Sequence, residues 1–258
     1  IYASSLELYY KEKALGKTHD EVLVIVTRHA LTESWEHKLD DEGNPIKGSG
    51  HAKPFMDNSK TRENLIRTII WYLEEFGEET EDSVMTYHLA NGKPAVELSF
   101  ALQLTDDILY CGHLDRVVSL GGHLYVMDQK TTGGTISNYY FSNFSPSNQM
   151  TGYAWAGKVV LKSPIKGVII DAAQINVNFS EFGRHPTLRT TEQIEEWLEA
   201  TKYTIALAQS ATQLDRLPMN ATACGNYGGC PFRTVCSVTP KLRENYLKAD
   251  FVEHGWDH

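Results

Sequence analysis

Residues 108–132 read ILYCGHLDRVVSLGGHLYVMDQKTT, and the fold turns on how this stretch is paired. Both arms are rich in β-branched and aromatic residues, and Gly121-Gly122 between them suits the two-residue turn of a tight hairpin. Closing the hairpin there sets residues whose numbers sum to about 243 opposite each other, so Asp115 faces Asp128. Asp128 and Lys130 lie two apart on one strand and share a face. Each carboxylate interrupts an otherwise apolar run, Leu114 to Val118 in one arm and Tyr125 to Met127 in the other, where an uncompensated charge is expensive. Two carboxylates and an ammonium on one sheet face are the minimum set for divalent-metal phosphodiester hydrolysis: the carboxylates hold Mg²⁺ or Mn²⁺ and the lysine steadies the attacking water. The bland alternative is a cross-strand salt bridge on an exposed sheet.

Outward from the hairpin, the pattern changes period. Upstream, residues 3–15, 18–36 and 61–76 have helical spacing, separated by a Gly- and Pro-containing loop at 39–60. Residues 83–89 and 95–103 alternate like strands and precede the strands at 108–118 and 122–131. Downstream come a helix at about 146–160, a buried strand at 166–176 and a long helix at about 190–212. This order predicts an α/β (α+β) domain with a mixed central β-sheet flanked by helices. One domain is expected over 1–258, with a helical N-terminal part (1–80), a catalytic core (81–212) and a Cys-containing C-terminal extension (213–258).

The chain has 258 residues, of which 41% are hydrophobic and 22% charged, which excludes collagenous, coiled-coil and wholly disordered classes. No apolar run reaches the roughly 18–20 residues of a membrane span. With no secretory leader pattern, the expectation is a cytoplasmic protein without a membrane partner. The chain opens at Ile1 rather than Met, so further residues upstream are expected. Its net charge is −9, yet residues 108–189 alone carry +3. That basic middle nominates Lys158, Lys162, Lys166, Arg184 and Arg189 as phosphate contacts. Walker A, GxGxxG and GxSxG patterns do not occur, which argues against an NTPase, a Rossmann dehydrogenase and an α/β-hydrolase.

Gly112-His113-Leu114-Asp115-Arg116 followed by Asp128-Gln129-Lys130-Thr131-Thr132 resembles two motifs of the PD-(D/E)XK nuclease superfamily. Gln149-Met150-Thr151-Gly152-Tyr153 is similar to the Gln-x-x-x-Tyr helix of its RecB-like exonuclease branch, which includes phage and CRISPR-associated relatives. The resemblance implies a restriction-endonuclease-like core and a metal-dependent DNA nuclease, an exonuclease, working in recombination, repair or phage DNA processing. Its partners would be single-stranded DNA or duplex ends, together with a helicase or recombinase. It implies Asp115 and Asp128 as metal ligands, the Gln129 carbonyl as a third oxygen and Glu97 as a further contributor. Lys130 would act on the nucleophile, with Gln149 and Tyr153 orienting it or touching the strand. The branch usually carries a metal-ligating histidine in its first helix; Tyr2-Ala3-Ser4-Ser5 stand there instead, and His113 is a candidate substitute.

Cys224, Cys230 and Cys236 resemble the C-terminal cysteines that hold a 4Fe–4S cluster in some relatives. Such a cluster needs four thiolates, and Cys111, inside a strand, reads as a small core residue. A cluster completed from upstream, a vestigial packing motif and a zinc site all remain open. Two other functions stay beside the nuclease: a catalytically inactive DNA-binding or complex-assembly module of the same fold, and an unrelated α+β ligand-binding protein.

Overall fold

The computed structural model describes residues 1–254 apart from 41, 43, 54–60, 81–82 and 215–218. The chain divides into two compact units, Ile1–Lys202 and Tyr203–His258. In the first unit, α1 (Tyr2–Ala14), α2 (His19–Glu33) and α3 (Arg62–Phe76) pack together. The Val- and Ile-rich second stretch is helical because Val22, Val26 and Ala30 fall on one buried stripe. Thr18 starts it with a reciprocal cap, its hydroxyl accepting from Glu21 N while the Glu21 carboxylate accepts from Thr18 N. Leu6, Ile69, Tyr72 and Leu73 from α1 and α3 are fully buried with Ala173 and Ile175 of the sheet. Each such aliphatic side chain contributes about 1.5–3 kcal/mol.

The central sheet contains β3 (Met85–Thr86), β4 (Val96–Thr105), β5 (Ile108–Leu120), β6 (His123–Thr132), β7 (Ile165–Ile175) and β8 (Ser180–Leu188). Their order is β3-β5-β6-β7-β8, with β4 also paired to β5. All pairs are antiparallel except β6 with β7. That parallel pair is joined through α4 (Asn138–Ser142) and α5 (Asn148–Leu161), as a parallel connection requires. A two-stranded ribbon, β1 (Trp35–Glu36) with β2 (His51–Ala52), lies apart. The result is a mixed sheet between helices, consistent with a restriction-endonuclease-like core. The expected loop at 39–60 lies partly outside the described residues.

The β5–β6 hairpin has the expected register. Gly121 (φ 56°) and Gly122 (φ 76°) form its turn, Leu120 pairs with His123 and Arg116 with Met127. The strand expected at 83–89 is shorter, because after Thr86 the chain turns toward β4 and β5. Tyr87 N donates to Val117 O, and Val117 N donates to Ala95 O. The strand β8 was not expected. Its sequence, SEFGRHPTL, carries a glycine and a proline, which an edge strand tolerates because only one side is paired.

The opposite sheet face is covered by α5 and by Ile194 at the start of α6 (Thr191–Gln213). A Cβ on Gly157 would stand 2.9 Å from Val126 Cγ2 and 3.3 Å from Ile165 Cγ1, so this glycine lets α5 lie flat on β6 and β7. In the second unit, α7 (Arg233–Ser237) and α8 (Pro240–Asp250) pack together, with Phe232 and Phe251 stacked at 4.6 Å. Among the described residues no helix is long and apolar enough to cross a membrane.

The Gly157 contact makes a stability prediction. Gly157→Val forces methyl groups into filled space and should cost about 1–3 kcal/mol. Urea unfolding should show a lower midpoint at unchanged slope; an unchanged midpoint would mean that α5 does not rest on the sheet at this point.

Candidate active site

Asp128 and Lys130 project from the same face of β6, toward α5. Asp128 is 2% exposed. Lys130 Nζ lies 2.7 Å from Asp128 Oδ2 as an ion pair, although that oxygen has no aligned hydrogen-bond donor. Lys130 Nζ also donates to Gln149 Oε1 at 3.2 Å, and Gln149 Nε2 donates to the Tyr153 hydroxyl at 3.1 Å. Spacing four aligns the last two on α5, whose start is fixed by the Ser147 side chain accepting from Met150 N. The structure therefore brings together Asp128, Lys130, Gln149 and Tyr153.

Asp115 arrives by a break in the sheet. The β5–β6 ladder ends at the row Arg116–Met127. In a continued ladder Gln129 N–H would reach the Leu114 carbonyl, two rows on. It donates instead to Asp115 Oδ2 at 2.8 Å. A side chain thus stands in for backbone, and the strands part where Asp115 and Asp128 face each other. Within a strand a residue's N–H and C=O point the same way, so the Gln129 carbonyl is turned toward β5 as well.

The other neighbour of Asp115 is irregular in a matching way. Rows Val96–Arg116 and Leu98–Leu114 flank Glu97 with unchanged register, yet Glu97 has φ 49°. This is a left-handed conformation that costs a non-glycine residue about 1–3 kcal/mol. Val96 packs against the α1–α3 layer, whereas Leu98 and Phe100 pack on the α5 side. On β5, Leu114 packs on the α5 side while Arg116 lies under the Tyr10 ring of α1 at 3.8 Å. Residues two apart share a face in a regular strand, so both strands turn over together at the Glu97–Asp115 row.

Burial governs the charges here. Desolvation pushes the Asp128 carboxyl up to about 6; Lys130 opposes the shift and Asp115 adds to it. Asp115 is also raised, by desolvation first, against the Gln129 N–H and Lys130. Glu97 is raised by desolvation, then by Asp115 and Glu7. Hard oxygen atoms held partly dry and mutually repelling fit a hard divalent cation. Mg²⁺ in particular is bound through one or two carboxylates and keeps several waters. Among the described residues no group of three or more His, Cys, Asp and Glu side chains is placed to hold a metal ion. Cys224, Cys230 and Cys236 are among the residues not gathered into such a group, although Cys230 N donates to Cys224 O at 3.1 Å.

Several expectations are corrected. Cys111 is exposed on β5, because residues 109, 111 and 113 alternate outward beyond the core. Arg184 and Arg189 are not surface phosphate contacts. Arg184 Nε donates to Asp171 Oδ1 at 3.0 Å and Nη2 to the Tyr72 hydroxyl. Arg189 is 8% exposed and donates to Thr151, Thr187, Leu188 and Phe144. Lys158, Lys162 and Lys166 are exposed. His113 Nδ1 lies 3.0 Å from Ser99 Oγ. Tyr140 on α4 is a further neighbour that the sequence did not single out: its phenol is raised by partial burial first and then by the Asp128 carboxylate. A five-residue helix after Gly133-Gly134 carries no motif that would single it out.

The family model of the PD-(D/E)XK nuclease superfamily matches residues 4–237, and the chain belongs to that superfamily. No curated protein matches the chain. A nuclease is the general assignment that follows.

The raised carboxyl predicts a pH dependence. Folded Asp128 keeps its proton above the pH at which the unfolded chain releases it, so metal-free stability falls as pH rises from about 4 through about 6. The Asp128 share of this loss should reach about 3 kcal/mol at most, so Asp128→Asn should show a smaller loss, the part left by Asp115 and Glu97. Unfolding both proteins in EDTA across pH 4–8 checks this; parallel curves would contradict it.

Proposed function

We propose that this member of the PD-(D/E)XK superfamily is a divalent-metal-dependent deoxyribonuclease, an exonuclease of the RecB-like kind. It would hydrolyse DNA phosphodiester bonds at single strands or duplex ends, beside a helicase or recombinase in recombination, repair or phage DNA processing. The observation that carries the reading is the parted row: Asp115 turned inward by the Gln129 N–H, facing Asp128, with Lys130 held between Asp128 and Gln149.

In this reading Asp115, Asp128 and the Gln129 carbonyl would hold Mg²⁺ or Mn²⁺, with Glu97 as a further contributor. The bound cation supplies Lewis-acid polarisation of the scissile phosphate and neutralises its charge. Lys130 donates to the attacking water and to the charge that gathers on the phosphoryl oxygens as the new P–O bond forms and the P–O bond to the leaving sugar oxygen breaks. Gln149 fixes the lysine's direction and Tyr153 fixes Gln149, so the ammonium is placed before substrate arrives.

A second reading, an inactive DNA-binding or assembly module, is favoured by one observation: α1 contains no histidine. Labelled linear DNA with Mg²⁺ or Mn²⁺ separates the two. Wild type should degrade it, Lys130→Ala and Asp128→Asn should lose about 10²–10³-fold or more, and Gln149→Ala should lose less. Binding without cutting by wild type would favour the inactive module. Undiminished cutting by all three variants would place the chemistry elsewhere.

A further inference from the structure

Where α2 ends and α3 begins, one arginine ties the two helices and supports an aromatic ring. Arg62 donates from Nε to Ser34 Oγ at 3.0 Å and from Nη2 to the Leu31 carbonyl at 3.2 Å, satisfying the C-terminal end of α2. Its guanidinium lies 5.1 Å from the Trp35 ring centroid, and Trp35 remains 40% exposed. Nη1 of Arg62 makes no hydrogen bond among the described residues. These two side chains line an open groove of about 620 Å³ together with Arg28, Leu31, Thr32 and His37. Arg28 is exposed, and among the described residues it has no ion pair. The nearby carboxylates are mostly engaged: Glu36 lies 3.1 Å from His51 Nε2, and Glu63 turns back to Thr61, while Glu33 stands exposed on the last turn of α2. Two guanidiniums and a supported indole thus meet at one groove.

Toward β6, Ser4 Oγ of α1 and His29 Nε2 of α2 lie 3.1 Å apart. A cleft of about 330 Å³ then runs between Tyr2, Ala3 and Leu65 on the helices and Gln129 and Thr131 on β6. Leu65 is one turn from Arg62 on α3, and Gln129 is the residue whose N–H holds Asp115. That cleft reaches β6 through Gln129 and Thr131, next in sequence to Asp128 and Lys130 but on the other face of the strand.

We propose that this groove is a docking track for the single-stranded part of the DNA substrate, with a base stacked on Trp35 and its phosphates on Arg28 and Arg62. The proposal rests on the nuclease reading for the substrate's identity. The chemistry selects a single strand because a base inside a duplex has no free face to offer an indole, whereas an unpaired base does. Arg28 on α2 and Arg62 on α3 offer cations from two separate helices, and stacking on a ring already pinned by Arg62 costs little ordering.

The test is binding of a labelled 30-nucleotide single strand by the full chain in EDTA, where no metal-dependent cleavage occurs. Trp35→Ala and Arg28→Glu should each weaken it about 5–100-fold, the range expected for losing one base–aromatic stack, and Trp35→Phe should stay within about threefold of wild type. Blunt duplex of the same length should change less than twofold. Arg28 is exposed, so its variant keeps the result interpretable if the tryptophan variant misfolds. Single-strand binding within twofold of wild type in Arg28→Glu and in a folded Trp35→Ala would overturn the proposal, as would equal losses for duplex. Hydrolysis of bis(p-nitrophenyl) phosphate separates this failure from that of the nuclease reading. It should persist in Arg28→Glu and vanish in Lys130→Ala, and a wild type that does not hydrolyse it would count against the nuclease reading alone.

Discussion

The hydrogen bond from Gln129 N to Asp115 Oδ2 is the constraint on which the site depends. Without it β5 and β6 would continue to zip past Arg116 and Met127, and Leu114 would take the backbone donor. With it, the ladder stops one row early and two carboxylates are left facing each other. The left-handed Glu97 on the next strand absorbs the resulting change of face without shifting the β4–β5 register. One side-chain acceptor thus converts an ordinary hairpin into an opening that is lined by oxygen.

Such an opening has to be held against its own electrostatics. Asp128 is nearly dry and sits beside another carboxylate, a combination that alone would neutralise it. Lys130 is the immediate counterweight. Behind the sheet, Arg116 is completely buried against Tyr10 and 3.8 Å from Glu79, and Asp171 accepts from both Tyr72 and Arg184. Buried pairs of this kind are weak contributors to stability, but losing one partner is costly. Their effect here is geometric: they fix β5, β7 and β8 on either side of the parted row, so the carboxylates do not relax apart when uncompensated.

Much of this was legible in the sequence, and the reasons are local. The hairpin register followed from Gly121-Gly122 and from alternation, since a slip of one residue would turn every side chain to the wrong face. The link of Gln149 and Tyr153 to Lys130 followed from the resemblance to the superfamily's motifs, while spacing alone put Gln149 and Tyr153 on one helix face. What the sequence did not show are effects of tertiary context. Cys111, Arg184 and Arg189 have compositions that say core or surface, and packing decided the opposite. β8 was hidden because Gly183 and Pro186 are read as breakers until its edge position is known. The bond from Gln129 to Asp115 joins residues 14 apart through a backbone donor, which no motif encodes.

The central claim is that the parted row is a divalent-cation site. Calorimetric titration of Mn²⁺ into the protein, without DNA, tests it most directly. The account predicts saturable binding by wild type that weakens at least about tenfold in both Asp115→Asn and Asp128→Asn, since each removes a charged oxygen ligand. Binding of the same strength in both variants, or none by wild type at millimolar Mn²⁺, would contradict it.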